Sequence, residues 1–298
     1  MFAPLAIREY YLRRVKMKKI VLILLFALSV CTWAFTQSGL ESISWHVSAN
    51  GNDAAPGTPD QPLKTLSRAM FIAENSGIRR ITVIGTLDVT SEGLNEQLTV
   101  FVLAVQLKMS EILISGKPNA TGAERAVLSG IGSGKGVVQI NALIRFEHIE
   151  ISGAEGQNNF GMLINFGSQV TLGAGAVVRN NGPGIGILNS ICVIDGGEIR
   201  DNNSSGVILA EQSILTMRNG TIRGNNSPSS AGGVMVNNGC TFTMTGGTIT
   251  ANRAAQFGGG VAVVTGGRFD QSGGTISDNT AGQSPNIFRQ QGALGSNL

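Results

Sequence analysis

Gly196-Gly197-Glu198-Ile199-Arg200-Asp201-Asn202 returns three times with small changes: Asn219-Gly220-Thr221-Ile222-Arg223-Gly224-Asn225, Gly246-Gly247-Thr248-Ile249-Thr250-Ala251-Asn252 and Gly273-Gly274-Thr275-Ile276-Ser277-Asp278-Asn279. A weaker copy, Ala174-Gly175-Ala176-Val177-Val178-Arg179-Asn180, precedes them. The closing asparagines stand 22 (180 to 202), 23 (202 to 225), 27 (225 to 252) and 27 (252 to 279) residues apart. Recurrence at this period is the mark of a solenoid or an array.

Counting back from the isoleucine of each phrase, Leu172, Ile194, Met217, Met244 and Gln271 stand five residues upstream, and Val170, Cys192, Leu215, Phe242 and Phe269 seven upstream. Polar residues dominate the positions between them. Period-two alternation is a strand with one buried face. A second apolar pair lies further upstream in each repeat: Met162/Ile164, Ile185/Ile187, Val207/Leu209, Val234/Val236 and Val261/Val263. Each repeat therefore holds three short strands between turns rich in Gly and Asn. Such strands cannot bury their apolar face alone, but stacked coils can, each strand pairing in parallel with its copy in the next coil. The expected fold is all-β, a parallel β-helix with three strands per coil.

Asparagine tolerates left-handed backbone, and its amide both donates and accepts, so Asn180, Asn202, Asn225, Asn252 and Asn279 read as a structural ladder at one corner. The extra residues of the longer repeats fall between the Asn and the next strand, as loops budding from that corner.

With 41 glycines and 14% charged residues in 298, the composition suits a turn-rich solenoid better than a compact α/β enzyme. Arg8, Arg13, Arg14, Lys16, Lys18 and Lys19 against Glu9 put +5 in the N-terminal extension, so the net charge of +3 leaves the rest of the chain near −2, no basic patch remains and nucleic acid is excluded as a partner.

Met17-Lys18-Lys19 followed by the apolar run Ile20 to Val30 is the pattern of a bacterial secretory signal, with residues 1–16 as an upstream extension. Two processing routes remain open. Leu28-Ser29-Val30-Cys31 resembles a lipobox that would anchor lipid on Cys31, the sole route to a membrane; Thr32-Trp33-Ala34 would serve ordinary cleavage. Residues 1–34 are thus read as leader, and the protein as exported, to the cell surface, outer membrane or periplasm, or secreted. Three cysteines make no disulfide framework: Cys192 falls in the inward column, and Cys240 precedes the matching strand of its repeat.

The mature domain is expected over 45–280, with an opening segment at 45–80, regular repeats over 161–279 and a tail at 281–298. In the opening segment Leu66, Ala69, Met70 and Ala73 share one helical face behind Thr65 as N-cap, a short helix suited to cover the first coil. Looser strands follow at 81–84, 98–105, 111–115, 126–128, 137–140 and 144–152, with Ile112-Leu113-Ile114 and Ile149-Glu150-Ile151 expected at equivalent coil positions. After Asn279 the repeat fails, and 281–298 reads as a frayed tail with at most one strand, at Ile287-Phe288.

The run HVSANGNDAAPGTPDQPLKTLSRAM (46–70) resembles the opening segment of pectin-lyase-like right-handed β-helix proteins of bacteria, and GGTITAN and GGTISDN resemble the repeats of their exported and surface members. The resemblance covers roughly 45–280. It implies a right-handed coil, and it implies no single activity, because this fold carries lyases, hydrolases and adhesins alike.

Enzymes of that kind gather carboxylates, to hold calcium or to flank a glycosidic bond. The exposed acids of the repeats are Asp195, Glu198, Asp201, Glu211, Asp270 and Asp278, and they do not cluster. Asp195, Glu198 and Arg218 are the candidate ligand-binding residues, Arg218 being expected beside Asp195 in the next coil. Asp270, three coils from Asp195, would lie roughly 14 Å away, beyond a glycosidase carboxylate pair. Asp53 reads as a turn cap, and His46 and His148 as strand residues. No catalytic residue, cofactor or metal site is read. The functional expectation is a non-catalytic surface, adhesive or glycan-binding scaffold with a polysaccharide or another envelope protein as partner. The alternative is a polysaccharide lyase or glycoside hydrolase whose acids are gathered by loops.

Overall fold

The computed structural model describes residues 44–89, 111–117, 126–129, 138–140, 143–165 and 167–296. The expected leader, Cys31 and the strand expected at 98–105 lie outside them.

The described strands pair in parallel, each with its copy one coil away, and wind into a parallel β-helix. The first face runs through Trp45–Ser48, Arg80–Ile84, Ile112–Lys117, Leu143–Glu147 and Gln169–Leu172. The second runs through Thr86–Asp88, Ala126–Ser129, Ile149–Ser152 and Val177–Arg179. From Ile191 onward these two faces join: Ile191–Arg200, Ile214–Arg223, Thr241–Thr250 and Arg268–Ser277 are continuous strands of 10 residues each. The third face stacks Val138–Ile140, Met162–Ile164, Ile185–Leu188, Val207–Ala210, Val234–Val236, Val261–Val263 and Ile287–Arg289.

The long strands turn the corner at the paired glycines of the repeat. Gly247 has φ 83, and a Cβ there would come within 2.5 Å of Met217 Cε and 2.9 Å of Gly220 O, so only glycine fits without displacement. The register shifts at this bend.

Side chains on the inner faces stack in rows. Val170, Cys192, Leu215, Phe242 and Phe269 are register partners in turn, and all are fully buried. Leu172, Ile194, Met217 and Met244 form the adjoining buried row. The rings of Phe242 and Phe269 stack with centroids 4.8 Å apart.

Two alignments differ from expectation. Ile112 is the partner of Ile144, not the equivalent of Ile149, whose partner is Ala126 on the second face. The motif Ile-x-Ile-Ser-Gly occurs at both sites because both strands bury the same alternation, and alternation alone does not say which face a strand joins. Within the span expected as one strand at 144–152, His148 adopts φ 51 and breaks it into Leu143–Glu147 and Ile149–Ser152. His148 is thus an exposed corner residue rather than a strand residue.

The ends are closed by different means. Helix Leu66–Asn75, capped by Thr65 Oγ1 accepting from Arg68 N, buries Leu66, Ala69, Met70 and Ala73 against the first strands. At the other end, the tail expected to fray keeps pairing. Thr280–Gln283 joins a small corner sheet with Asn226–Ser227 and Arg253–Phe257, and Ile287–Arg289 extends the third face. Phe269 N donates to Leu294 O and Gln271 N to Ser296 O. Arg289 lies over the Phe269 ring at 5.4 Å and donates to Phe269 O and Leu294 O, lidding the last buried aromatic. This closure uses backbone pairing and one arginine rather than the repeat phrase, so periodicity does not show it.

Candidate functional site

The corner ladder is a continuous hydrogen-bonded column. Asn181 Nδ2 donates to Asn202 Oδ1 at 3.1 Å, Asn202 to Asn225 at 2.8 Å, Asn225 to Asn252 at 2.9 Å and Asn252 to Asn279 at 3.0 Å. Asn286 Oδ1 ends it, accepting from Asn279. From Asn202 onward each Oδ1 also accepts the backbone N–H of the preceding asparagine, Asn181 Oδ1 accepts from Ala154 N, and each Nδ2 reaches a carbonyl of the coil before, as Asn225 does to Ile199 O. Asn180 is not a member. Val178, not Val177, pairs with Ile199, so the weak copy carries one extra residue before its second strand and the ladder position falls on Asn181. Asn180, at φ 54, instead takes the left-handed corner position filled by Asp201, Gly224, Ala251 and Asp278 in later coils.

A second corner carries a column that the sequence reading missed. Ser168 N donates to Ser190 Oγ and Ser190 N to Ser213 Oγ. Cys240 holds the next position, since Thr241 pairs with Ile214. The signal was there, a serine just before each of the strands that begin at Gln169, Ile191 and Ile214. Cys192 and Cys240 are free buried thiols. Burial pushes the Cys192 thiol up to about 12 and raises that of Cys240, so neither is a nucleophile in the folded chain.

Five acids of the coil faces are occupied by neighbouring arginines. Glu198 accepts from Arg200 Nε at 3.0 Å and from Arg223 Nε at 2.6 Å, and Asp201 also pairs with Arg200. Glu150 pairs with Arg179 at 2.8 Å, Glu147 with Arg145 at 2.6 Å and Asp270 with Arg268 at 2.5 Å. Partial burial pulls the Arg200 guanidinium down, but Asp201 and Glu198 outweigh it and hold it above its ordinary value. The expected Asp195–Arg218 pair does not form. At the glycine bend the register slips, and Asp195 faces Asn219. The three candidates Asp195, Glu198 and Arg218 therefore form no common site. Among the described residues, no group of three His, Cys, Asp or Glu side chains is placed to hold a metal ion.

Asp53 braces the opening loop. Its Oδ1 accepts from Lys64 N and Thr65 N, and its Oδ2 from Thr65 Oγ1, tying the loop to the helix cap. Beside it the loop folds around a cleft of about 440 Å³, lined by Asn50, Gly51, Asn52, Ala54, Ala55, Pro56, Asp60, Gln61 and Pro62. On the third face, outward positions carry Leu163, Gly186, Ile208, Met235, Ala262 and Phe288. Chain folded over this stripe covers part of it: a Cβ on Gly186 would meet Phe160 at 2.8 Å, and Phe257 stacks on Phe288.

No helix among the described residues is long and apolar enough to cross a membrane. Comparison with curated proteins and with solved structures found no match. The family model described as "Right handed beta helix region" matches residues 133–291, more than half of the chain and the part that holds the asparagine ladder and the long bent strands. The chain belongs to that right-handed β-helix family.

Proposed function

We propose that the protein is an exported scaffold of the cell envelope that holds a polysaccharide or another envelope protein without cleaving it. The leader-like segment Met17 to Val30 and the resemblance of residues 46–70 to the opening segment of pectin-lyase-like proteins support export and the finer family. One observation carries the non-catalytic reading: Glu147, Glu150, Glu198, Asp201 and Asp270 are each neutralised by an arginine of the same or an adjacent coil. Each of these acids is engaged with arginine rather than gathered with other acids, whereas calcium needs several oxygens and glycoside cleavage needs two carboxyls at a set separation.

The test is an elimination and hydrolysis assay of the full chain on polygalacturonate and other polyuronates, alongside a glycan array. Retention of glycans with no release of unsaturated or reducing ends is expected, and Asp195→Asn with Glu198→Gln should leave retention unchanged. Polyuronate cleavage by the wild type that this double variant abolishes would replace the scaffold with a lyase or hydrolase.

A further inference from the structure

We propose that the cleft of the opening loop is a binding site for neutral sugar residues, a site that rests on the glycan-holding reading above and gives it a location. The loop is set before any ligand arrives. Gly51 N donates to Ser48 O, Asn52 N to Pro62 O, Ala55 N to Asn52 O and Gly57 N to Gln61 O. The two limbs run in such close approach that a Cβ on Gly51 would lie 2.1 Å from Leu63 O. Asp53 fixes one limb to the helix cap. Pro56 and Pro62 restrict φ. A rigid concavity loses little conformational freedom on binding, which raises affinity for a given set of contacts.

The lining has the chemistry of sugar recognition. Backbone groups in the loop are largely spent on the loop itself, and so is Asn52 Oδ1, which accepts from Ala54 N. Left over are the side-chain amides of Asn50 and Gln61, the Nδ2 of Asn52 and the Asp60 carboxylate, which form no hydrogen bond or ion pair with other described residues. Amides donate and accept together and a carboxylate accepts, so this set complements vicinal hydroxyls, each of which donates and accepts. Ala54, Ala55, Pro56 and Pro62 supply apolar surface for the C–H face of a pyranose. The volume of about 440 Å³ falls in the range of small-molecule sites, ~300–1,000 Å³.

Charge narrows the class. Asp60 is the one ionisable side chain in the lining, and no Lys or Arg lines the cleft. A net negative cleft disfavours uronates and sulfated sugars and leaves neutral residues. This separates the site from the acid-binding chemistry expected of a polyuronate lyase.

The experiment is ligand-observed saturation-transfer NMR and titration of the full chain with cellotetraose, mannotetraose, xylotetraose and chitotetraose, and with tetragalacturonate as the charged control. Saturable binding of at least one neutral tetrasaccharide is expected, with tetragalacturonate weaker. Asp60→Ala and Gln61→Ala should each weaken that binding about tenfold or more, as loss of a hydrogen bond to a fixed partner does. Both residues are exposed, so an unchanged melting temperature shows that the fold is intact. Neutral-sugar binding that survives both substitutions would remove the site from this cleft while leaving a glycan-holding scaffold in place. Absence of binding by any oligosaccharide would overturn both. Stronger binding of tetragalacturonate, or saturable calcium binding lost in Asp60→Ala without any sugar effect, would also overturn the proposal.

Discussion

At the residue scale the ladder shows how one side chain can hold three coils. Asn225 is fully buried, donates to Asn252 Oδ1 and Ile199 O, and accepts from the backbone and side-chain nitrogens of Asn202. Asn225→Ala leaves those partners buried without replacements, each costing about 1–3 kcal/mol, so a loss of about 3–5 kcal/mol is expected in urea unfolding. Asn180→Gly, at an exposed left-handed corner, should change stability by less than about 1 kcal/mol. Equal effects would contradict the assignment of the ladder to Asn181. Cys192 gives a pH prediction. Burial raises its thiol to about 12, so the folded chain keeps the proton where the unfolded chain loses it. Its contribution is complete below the ordinary thiol range and is lost as pH rises toward about 12. Cys192→Val, close in volume and without an acid, should flatten the fall in the urea midpoint between about pH 8 and pH 10. An identical alkaline fall in wild type and variant would refute this.

At the element scale the rows of the inner faces carry the packing energy. Phe242 stacks on Phe269 between Leu215 and the closing coil, and Phe242→Ala should cost about 3–5 kcal/mol, read from the thermal or urea midpoint. These rows are legible in the sequence because alternation of period two survives every change of residue type, from valine to cysteine to phenylalanine. The corner residues are legible only where the phrase keeps its length. One extra residue between Leu172 and Val178 moved the ladder from Asn180 to Asn181, a shift that hydrophobicity does not register. The same limit affected Asp195 and Arg218, since a bend at two glycines lets the register slip and no side-chain pattern records the slip. The opening-loop cleft was invisible for a further reason. Its walls come from two limbs about ten residues apart whose approach depends on Gly51 and Asp53, and neither residue type declares a contact in advance.

At the scale of the whole molecule the coils depend on neighbours, so the two closures decide where unfolding starts. In a solenoid each repeat touches only those beside it, and an end coil lacks one partner. A helix with four buried apolar residues covers the first coil. The last coil rests on paired backbone and on Arg289, whose guanidinium covers Phe269 and binds two carbonyls. Burial pulls that guanidinium below its ordinary value, and the charge stays because carbonyls and a ring face replace part of its water. Arg289→Ala should therefore cost about 2 kcal/mol, and the loss should be local. Hydrogen exchange should accelerate at Val261, Phe269 and Gln271, whose amides bond to the closing segment, while Thr82 and Val170 keep their wild-type protection. Arg289→Lys should recover little, because an ammonium cannot span both carbonyls and lie flat on the ring. Uniform acceleration across all coils would show instead that the solenoid unfolds as one cooperative unit, and that its C-terminal closure is not a separable element.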